Sequence, residues 1–566
     1  MHLSYDQTRF WMRYEEVLAL SDPFRRRLFA KLNPRGLLYP VFTTALLALF
    51  LTWQASVKGS NPNRLFGFFQ VISVVFFLAL TFGLMLPPRC ESVSARTSSI
   101  SNERRYWLLG FCVPVAVGLV AYVRTLPLFF LCDDFAHLES VRRSFAAAIW
   151  PQFTKGQDGV FYRPLAFFSL FLDYRIWHEW IPGFHLTSIL LHLLCIAGVL
   201  QLSIELDLKR KVAFAAALFF AVMPVNVQTV TWTAARFDQL SAALGIWSLA
   251  SAARFFRTGA YGCSLVGVAS FILAVICKEN AYVIPLLWLA LEVMASTKRK
   301  CTPFLKKTAS LAGIVTAGAI MLLFRFWLLK GVGGYRTDNA PMALHFPSAA
   351  LFGLLIRAPG ETLFGYDWLE PGNKLWQLSS IITAAVFLML AFRNVRDVNR
   401  RRIMRFTLFW IFVSAVPAHF YFWGPDPGLF VSRTLYFGSM GVAILVALLL
   451  EQAAERTKPF LTWTVFVAAL LFTGTQHNID AWQHASYDAK NWLAVLKQQE
   501  PSPAPNVTYY IVNVPSQIRG VPYFAAGIES AVRFNYSWRQ DIHVVTKASP
   551  TIPPGAITIN YQQPKD

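Results

Sequence analysis

Long apolar runs alternate with short polar segments along most of the chain. A helix that crosses a bilayer needs about 20 mostly apolar residues, and about 13 of the runs come near that length. The pattern therefore predicts an all-α, multi-pass membrane protein built as a bundle of transmembrane helices. The predicted spans cover residues 37–53, 65–86, 107–130, 184–206, 212–232, 239–256, 261–277, 280–295, 308–329, 375–392, 403–423, 434–450 and 459–475.

The composition and the distribution of charge support a membrane protein. Of the 566 residues, 55% are hydrophobic and 15% are charged, whereas roughly 25% are charged in a soluble domain. The chain carries 52 Lys and Arg residues against 31 Asp and Glu residues, a net charge of +21. The excess lies in short clusters at 209–211, 298–300 and 400–402, as in cytoplasmic loops. We therefore expect the chain to associate with the membrane and not with nucleic acid. We also expect the N-terminus on the cytoplasmic side of the membrane and the tail on the outer side.

Two parts of the chain depart from the pattern of spans. Residues 164–178 are apolar over too short a length to cross a bilayer. We therefore predict an interfacial or re-entrant helix there, within the long outer loop 131–183; a short tilted span is the alternative. A second long outer loop covers 330–374. The tail, 476–566, combines a helical segment with β-branched and aromatic runs such as 507–514, which predicts a small α/β domain on the outer face.

An acidic motif directly follows the third predicted span. Asp133 and Asp134 are adjacent at the outer membrane boundary, where repulsion between two carboxylates should raise the pKa of one of them. Such a pair can act as a general base or hold a divalent cation. His137 lies one helical turn later as a third candidate metal ligand. The sequence leaves the cofactor unknown, and a divalent metal ion is the candidate. The alternative interpretation of the acidic motif is a solvated start of a loop.

Cations recur at the outer ends of the predicted spans, where the positive-inside rule predicts few. Arg163, Arg236, Lys278 and Arg433 all lie there, and an anionic lipid headgroup would explain their presence. The alternatives are a set of unrelated interfacial anchors and, for Arg236, a simple pair with Asp238. Further candidate substrate-binding residues accompany these cations, namely Tyr162, His185, Glu279 and Tyr436.

These outer-face motifs follow one another in the order Asp133 and Asp134, Tyr162 to Leu165, Phe184 to His192, Pro224 to Asp238, Cys277 to Glu279, and Ser432 to Tyr436. Their order resembles that of the GT-C glycosyltransferase superfamily, in particular the protein O-mannosyltransferase-like branch with its transmembrane TPR-containing mannosyltransferases. The resemblance covers residues 107–475. Two predicted spans precede the span that carries the acidic motif here, whereas the family core normally begins with that span. The tail shows no TPR period.

The resemblance implies a GT-C-type bundle and a sugar donor carried on a polyprenyl phosphate at the outer face of the membrane. It implies that Asp133 acts as base on the acceptor hydroxyl and that Asp134 supports it or binds a metal. It places Arg236, Lys278 and Arg433 at the donor phosphate. The implied domains are a cytoplasmic segment with two extra helices, 1–106, a transmembrane catalytic domain, 107–475, and the outer domain, 476–566.

The expected activity is transfer of the sugar to a hydroxyl group of a protein, glycan or lipid, in the bacterial inner membrane or the endoplasmic reticulum. One displacement at the anomeric carbon would invert its configuration, and a departing phosphate needs cations to receive its charge. A non-enzymatic transporter or flippase of a lipid-linked glycan is the alternative. It predicts charges deep within the spans, for which Arg124 and Arg325 are candidates. The clustering of candidate residues at one face favours the enzyme.

Overall fold

The computed structural model divides the chain into two compact units, Met1–Gly110 and Phe111–Asp566. The first unit is described only over residues 99–110, which begin a helix. Three predicted spans, 37–53, 65–86 and 375–392, lie outside the described residues. The described residues are 99–157, 160–295, 302–331, 333, 336–337, 340–341, 397–421, 429–457, 460–546 and 555–561.

The described part of the chain is mostly helical, because a helix satisfies the backbone hydrogen bonds of an apolar segment internally. The α-helices are Ser99–Tyr122, Asp133–Val141, Phe145–Ala148, Trp150–Thr154, Pro164–Trp177, Ile181–Glu205, Arg210–Ala221, Val227–Thr231, Arg236–Thr258, Tyr261–Val275, Ile284–Ala290, Phe304–Leu329, Val398–Tyr421, Tyr436–Thr457, Phe460–Gln499 and Ile528–Asn535. Short 3-10 turns cover Val123–Thr125, Pro224–Asn226, Thr233–Ala235, Glu279–Val283 and Leu429–Leu435, and a π turn covers Leu291–Ala295.

The predicted number of about 13 spans is not confirmed. Within the described ranges, three helices are long and apolar enough to cross a bilayer, namely Ile181–Glu205, Phe304–Leu329 and Ser432–Ala454. A fourth span is counted if Arg210–Ala221 and Pro224–Thr231, which meet at a bend of 49°, cross together. Pro224 explains this break, since proline lacks the N–H that would continue the helix.

The helix Arg236–Thr258 packs between Ile181–Glu205 and Tyr261–Val275. Gly198 permits the close approach on one side, because a Cβ there would lie 2.5 Å from Ile246. The segment predicted as an interfacial or re-entrant helix forms the helix Pro164–Trp177, which packs against Ile181–Glu205 and Arg236–Thr258. Its placement at the membrane interface stays a prediction. The packing brings the ends of several helices together around one cavity.

The tail contains the predicted small α/β domain. The strand Thr508–Val512 is central and pairs in parallel with His543–Thr546 on one side and Ile557–Asn560 on the other. Thr508 lies opposite His543, and Tyr509 lies opposite Ile557. The helix Phe460–Gln499, 40 residues long, leads into this domain from the last predicted span. Two-residue strands also pair in antiparallel fashion, Arg336–Thr337 with Ala340–Pro341 and Gln517–Ile518 with Val521–Pro522.

Candidate active site

A cavity of about 370 Å³ opens among segments that the sequence places at the outer face. Ligand sites in proteins have volumes of roughly 300–1,000 Å³, so the cavity is large enough for a small ligand. Most of the charged residues singled out in the sequence meet there. The candidate residues that line it are Asp133, His137, Arg163, Asp238, Lys278, Glu279 and Arg433.

The helix Asp133–Val141, which we call the acidic helix, brings Asp133 to the cavity wall. Cys132, directly before it, has a φ of 52°, a conformation that costs about 1–3 kcal/mol in a non-glycine residue. Residues three and four positions apart are neighbours on a helix. Asp133, Ala136, His137 and Ser140 therefore share one face, and all four line the cavity.

Asp134 is buried beside this wall, and its carboxyl group is committed to the backbone. Its Oδ2 accepts a hydrogen bond from the N–H of Leu131 at 3.1 Å, and its Oδ1 accepts one from Ala234 at 2.6 Å. Burial raises the pKa of Asp134 to about 8, against the lowering effect of these two hydrogen bonds. Asp134 thus joins the acidic helix to the turn before Arg236, while Asp133 faces the cavity.

His137 is a neutral hydrogen-bonding group of the cavity wall. Its ring meets Phe167 and Phe237 edge-on, with centroids 5.2 Å and 5.3 Å apart. Burial lowers the pKa of His137, and the nearby Arg163 adds to this effect while Asp133 opposes it. A neutral imidazole has one nitrogen that donates a hydrogen bond and one that accepts, which suits an uncharged polar ligand.

Asp238 holds two cations at the cavity wall. The Nζ of Lys278 lies 2.5 Å from Asp238 Oδ2, and the Nε of Arg433 lies 3.7 Å from the same oxygen. Burial lowers the pKa of Lys278 to about 8; Asp238 acts to raise it, and Arg163 and Arg433 act to lower it further. The Arg433 guanidinium also lies over the Trp232 ring, 5.1 Å from its centroid. These contacts fix both cations beside the cavity.

Glu279 holds a second pair of cations. It accepts a hydrogen bond from Arg163 Nε at 3.1 Å and a second one from Nη2 of the same residue, and Arg325 Nη1 lies 3.8 Å away. Burial alone would raise the pKa of Glu279, but Arg163, followed by Arg325 and Lys278, lowers it to about 2. Arg163 also lies over the Phe161 ring at 4.0 Å. Glu279 is therefore ionised and fixes Arg163 at the wall.

Arg236 lies in the protein interior and does not pair with Asp238. Its Nη1 donates to Asp173 at 2.7 Å, and its Nη2 donates to the carbonyl oxygen of Phe184 at 3.0 Å and to the hydroxyl of Ser188 at 3.2 Å. The Arg236 side chain is fully buried. Its contacts join two neighbouring helices, and its expected contact with the donor phosphate stays a prediction.

Three other candidates lie outside the wall of the main cavity. Tyr162 is buried and packs against a phenylalanine ring, and the Nε2 of His185 lies 3.0 Å from a main-chain carbonyl oxygen. The Tyr436 hydroxyl lies 2.7 Å from Nδ1 of His192. Tyr436 also lines a recess of about 20 Å³ that shares Asp238 with the cavity. All three side chains have packing or hydrogen-bonding partners within the bundle.

Three uncharged polar residues of the cavity wall were not among the candidates predicted from the sequence. Ser140, Gln152 and Gln157 line it, and all three come from the long outer loop. The Oε1 of Gln152 is buried and, in the part of the chain that the structure describes, has no hydrogen-bond partner. The length of the loop was the available signal, because single amides and hydroxyls have no characteristic spacing. Apolar rings complete the wall, namely Phe161, Phe167, Trp232 and Phe237.

The backbone engages the carboxyl group of one predicted metal ligand. Among the described residues, no group of three or more His, Cys, Asp and Glu side chains could hold a metal ion. Asp133, Asp134 and His137 were the expected ligands, but both oxygens of Asp134 accept main-chain N–H groups. A divalent ion held by these residues stays a prediction.

Comparison with known proteins agrees with the resemblance seen in the sequence. No protein-family model matches the chain. Protein O-mannosyl-transferase F38B6.6 of Caenorhabditis elegans is 20% identical over 334 residues, covering 57% of this chain and 47% of the relative. Protein O-mannosyl-transferase TMTC4 of Homo sapiens is 23% identical over 381 residues, covering 56% of this chain and 50% of the relative. The chain thus spans about half the length of these curated relatives.

A solved structure is also similar. ArnT from Cupriavidus metallidurans, bound to undecaprenyl phosphate, has a TM-score of 0.43 at 14% sequence identity, covering 78% of this chain and 89% of that chain. The sequence relatives confirm the resemblance to the mannosyltransferase branch. This multi-pass integral membrane chain is a distant relative of the protein O-mannosyl-transferases.

Proposed function

We propose that the chain is a GT-C-type membrane glycosyltransferase, which transfers a sugar from a polyprenyl-phosphate donor to a hydroxyl acceptor. One observation carries this proposal: a single cavity is lined by a carboxylate, Asp133, and by three cations, Arg163, Lys278 and Arg433. Such a reaction needs a base for the hydroxyl and positive charge for the departing phosphate. Because both sequence relatives are named protein O-mannosyl-transferases, mannose is the first sugar to test and a protein hydroxyl the first acceptor.

The donor phosphate binds at Lys278 and Arg433. Asp238 holds both cations at one oxygen, at 2.5 Å and 3.7 Å, so little reorganisation is needed when charge develops on the phosphate. An ammonium group has three N–H donors, and the hydrogen bond from Lys278 to Asp238 uses one of them. Arg163, which Glu279 holds, supplies a third cation at the wall.

The uncharged polar residues of the wall suit the sugar. Ser140, Gln152, Gln157 and the neutral His137 offer both hydrogen-bond donors and acceptors. A buried acceptor without a partner costs about 1–3 kcal/mol, and the Oε1 of Gln152 is such an atom among the described residues. A sugar hydroxyl would supply the missing hydrogen bond.

The reaction is a single displacement in which this chain's residues hold the groups and move one proton. The acceptor oxygen bonds to the anomeric carbon while the bond from that carbon to the phosphate oxygen breaks. The hydroxyl proton passes to the Asp133 carboxylate, as in general base catalysis. The electron pair of the broken bond leaves with the polyprenyl phosphate, where Lys278 and Arg433 stabilise the added charge. The anomeric configuration is inverted.

The site lies at the outer face of the membrane, in the periplasm or the lumen of the endoplasmic reticulum, with the N-terminus inside. Residues 107–475 form the catalytic domain, and 476–566 form the outer domain. The flippase alternative needs charges along a path through the spans. Its two candidates are paired: Arg124 donates to Asp480 at 2.6 Å, and Arg325 lies 3.8 Å from Glu279. Because Glu279 lines the cavity, the charge of Arg325 belongs to the ionic cluster of the proposed site.

The test is transfer of radiolabelled sugar from a panel of polyprenyl-phosphate donors, beginning with mannose, by the purified full-length chain. Asp133→Asn removes the base with almost no change of shape, and we expect transfer to fall about 10²- to 10⁴-fold. Asp207→Asn is the matched control. Asp207 is exposed in the connection before Arg210–Ala221 and has a φ of 60°, which asparagine also adopts readily.

The outcomes separate the two functions. Loss of transfer in Asp133→Asn alone, with unchanged thermal unfolding, supports the assignment of the base. Equal transfer by Asp133→Asn and the wild type contradicts it. If the wild type binds the donors but transfers none of them to a panel of hydroxyl acceptors, and instead moves labelled donor across liposome membranes, the enzyme proposal is wrong and the flippase is correct.

A further inference from the structure

The acidic helix is held from the side opposite the cavity. Asp133 and His137 line the cavity, whereas Phe135 and Glu139 point to the other side, and Arg142 follows them just after the helix. The spacing of these three residues, four and then three positions, places them on one helical face. This second face contacts the C-terminal domain.

Glu139 is the polar attachment on this second face. Its carboxylate accepts hydrogen bonds from the Ser530 hydroxyl at 2.5 Å, from Gln540 Nε2 at 2.9 Å and from Arg533 Nη1 at 3.3 Å. Burial would raise the pKa of Glu139, but these three donors together lower it. One carboxylate of the acidic helix thus ties together three residues of the C-terminal domain.

Aromatic packing surrounds this attachment. Phe135 is fully buried; its ring stacks with Phe524 at a centroid distance of 6.4 Å and meets Phe534 at a tilt at 5.6 Å. Arg142 lies over the Trp538 ring, 4.6 Å from its centroid. Aromatic pairs of this kind contribute beyond the area they bury. The contact is therefore an extended interface with both apolar and polar parts.

The closest approach lies beside Asp133 itself. Gly527 has a φ of +74°, and a Cβ placed on it would lie 2.4 Å from the carbonyl oxygen of Cys132 and 3.7 Å from the Cα of Asp133. Real Cβ atoms essentially never approach an atom closer than 3.0 Å. The backbone of the C-terminal domain therefore rests directly on the strained residue that precedes Asp133.

In the part of the chain that the structure describes, the C-terminal domain reaches the cavity wall through the acidic helix and also through Val521–Pro522, which contact the turn Leu429–Leu435. The residues that line the cavity lie between Asp133 and Thr434, whereas the contacts on the second face come from residues 524–540. Gly527 and Arg533 thus touch the support of the carboxylate and not the cavity.

We propose that the C-terminal domain fixes the rotation and height of the acidic helix, so that Asp133 meets the acceptor hydroxyl, and that Gly527 and Arg533 are its positioning residues. This inference rests on the proposed function, because it assigns the domain a task in the same reaction. Misplacement of a reacting group by about 1 Å can lower a rate by about 10²-fold, so a small shift of this helix is enough to matter.

Two glycines allow a matched test. Gly527 and Gly555 have φ values of +74° and +75°, but among the described residues nothing lies within 4 Å of a Cβ at Gly555. Alanine therefore brings the same backbone strain at both positions and a clash only at Gly527. With polyprenyl-phosphate mannose as donor, we expect Gly527→Ala to lower kcat about 10²-fold. The donor Kd of Gly527→Ala should stay within about twofold of wild type. Gly555→Ala should match the wild type in both kcat and donor Kd.

Two arginines provide a second variant if Gly527→Ala does not fold. Arg533 bonds to Glu139 across the interface, whereas Arg539 bonds to Asp541 and to the carbonyl oxygen of Pro503 within the domain. Arg533→Met should lower kcat without weakening donor binding. Arg539→Met should leave both kcat and donor binding unchanged. Loss of kcat and donor affinity in parallel in both variants would indicate general destabilisation and overturn the inference.

Hydrogen exchange distinguishes failure of this inference from failure of the proposed function. Gly527→Ala should speed exchange of the amides of Asp133–Val141, and Gly555→Ala should not. If the wild type transfers no sugar, the proposed function fails whatever the exchange shows. If the wild type is active and Gly527→Ala keeps wild-type kcat and wild-type exchange, the positioning role is wrong and the proposed function stands.

Discussion

Arg236 and Asp238 begin the same helix, two residues apart, and they serve two different ionic clusters. The Arg236 cluster is closed: the guanidinium is fully buried against Asp173 and also donates to oxygens of Ser169, Phe184 and Ser188. The Asp238 cluster is open: Asp238 holds Lys278 and Arg433, and all three side chains line the cavity. Two residues along a helix correspond to a rotation of about 200°, which separates the clusters.

A charge at the membrane interface therefore does not by itself indicate a ligand. A closed ion pair contributes to the fold, because breaking it leaves a buried charge without its partner. An ion pair on a cavity wall leaves some donors directed toward whatever enters. Access to the cavity, and not the residue type or its depth, distinguishes the two.

Breaking the closed cluster should have the largest effect. Arg236→Met leaves the Asp173 carboxylate buried without its cation, and we expect a loss of about 3–5 kcal/mol in the free energy of unfolding. Denaturant unfolding of the protein in detergent measures it. The double variant Arg236→Met with Asp173→Leu should recover most of the loss, since an apolar pair can replace a buried ion pair. Normal stability of the single variant would contradict this structural role.

Breaking the open cluster should affect transfer more than stability. Lys278→Met removes a donor from the proposed phosphate site, and the expected loss in kcat/KM is about 10²-fold. Arg433 still faces Asp238, so the unfolding midpoint should move much less than in Arg236→Met. The matched control is Lys307→Met, which removes a similar pair, Lys307 to Glu292 at 2.7 Å, away from the cavity. Equal losses in both lysine variants would show that the open cluster is structural too.

The pH dependence gives the smallest and most specific effect. Burial lowers the pKa of Lys278 to about 8, so the residue is cationic below that pH and loses its charge above it. For a single group with that pKa, kcat/KM should fall about fivefold between pH 8 and pH 9. Lys278→Arg keeps its charge there and should move this alkaline limb to higher pH. An unmoved limb in Lys278→Arg would assign the titration to another group.

The sequence predicted which segments meet at the cavity, because each apolar run fixes where its flanking residues lie. Asp133, Lys278 and Arg433 each border such a run, and all line the wall. The tail was predicted equally well, since its β-branched run became the central strand Thr508–Val512. The number of spans was harder, because a break such as the one at Pro224 divides an apolar run without changing its composition.

The sequence could not predict which partner each charge takes. Asp173 lies 63 residues before Arg236, and only the packing of two helices brings them together. The prediction also placed Arg236 and Asp238 in a turn before span 239–256, whereas the helix begins at Arg236 itself. With the helix starting there, the two-residue spacing alone would have directed them to opposite sides.

The long helix Phe460–Gln499 links the bundle to the C-terminal domain and is anchored in both. Thr475 donates to the carbonyl oxygen of Val222 at 2.7 Å, and Trp492 packs against Phe524 at 5.4 Å. These anchors are separated by an unbroken helix, which rises about 1.5 Å and turns about 100° per residue. A single inserted residue between the anchors would therefore rotate the domain by more than a quarter turn. Length changes in this connection are compatible with the fold only in steps close to whole helical turns, such as seven residues for two turns.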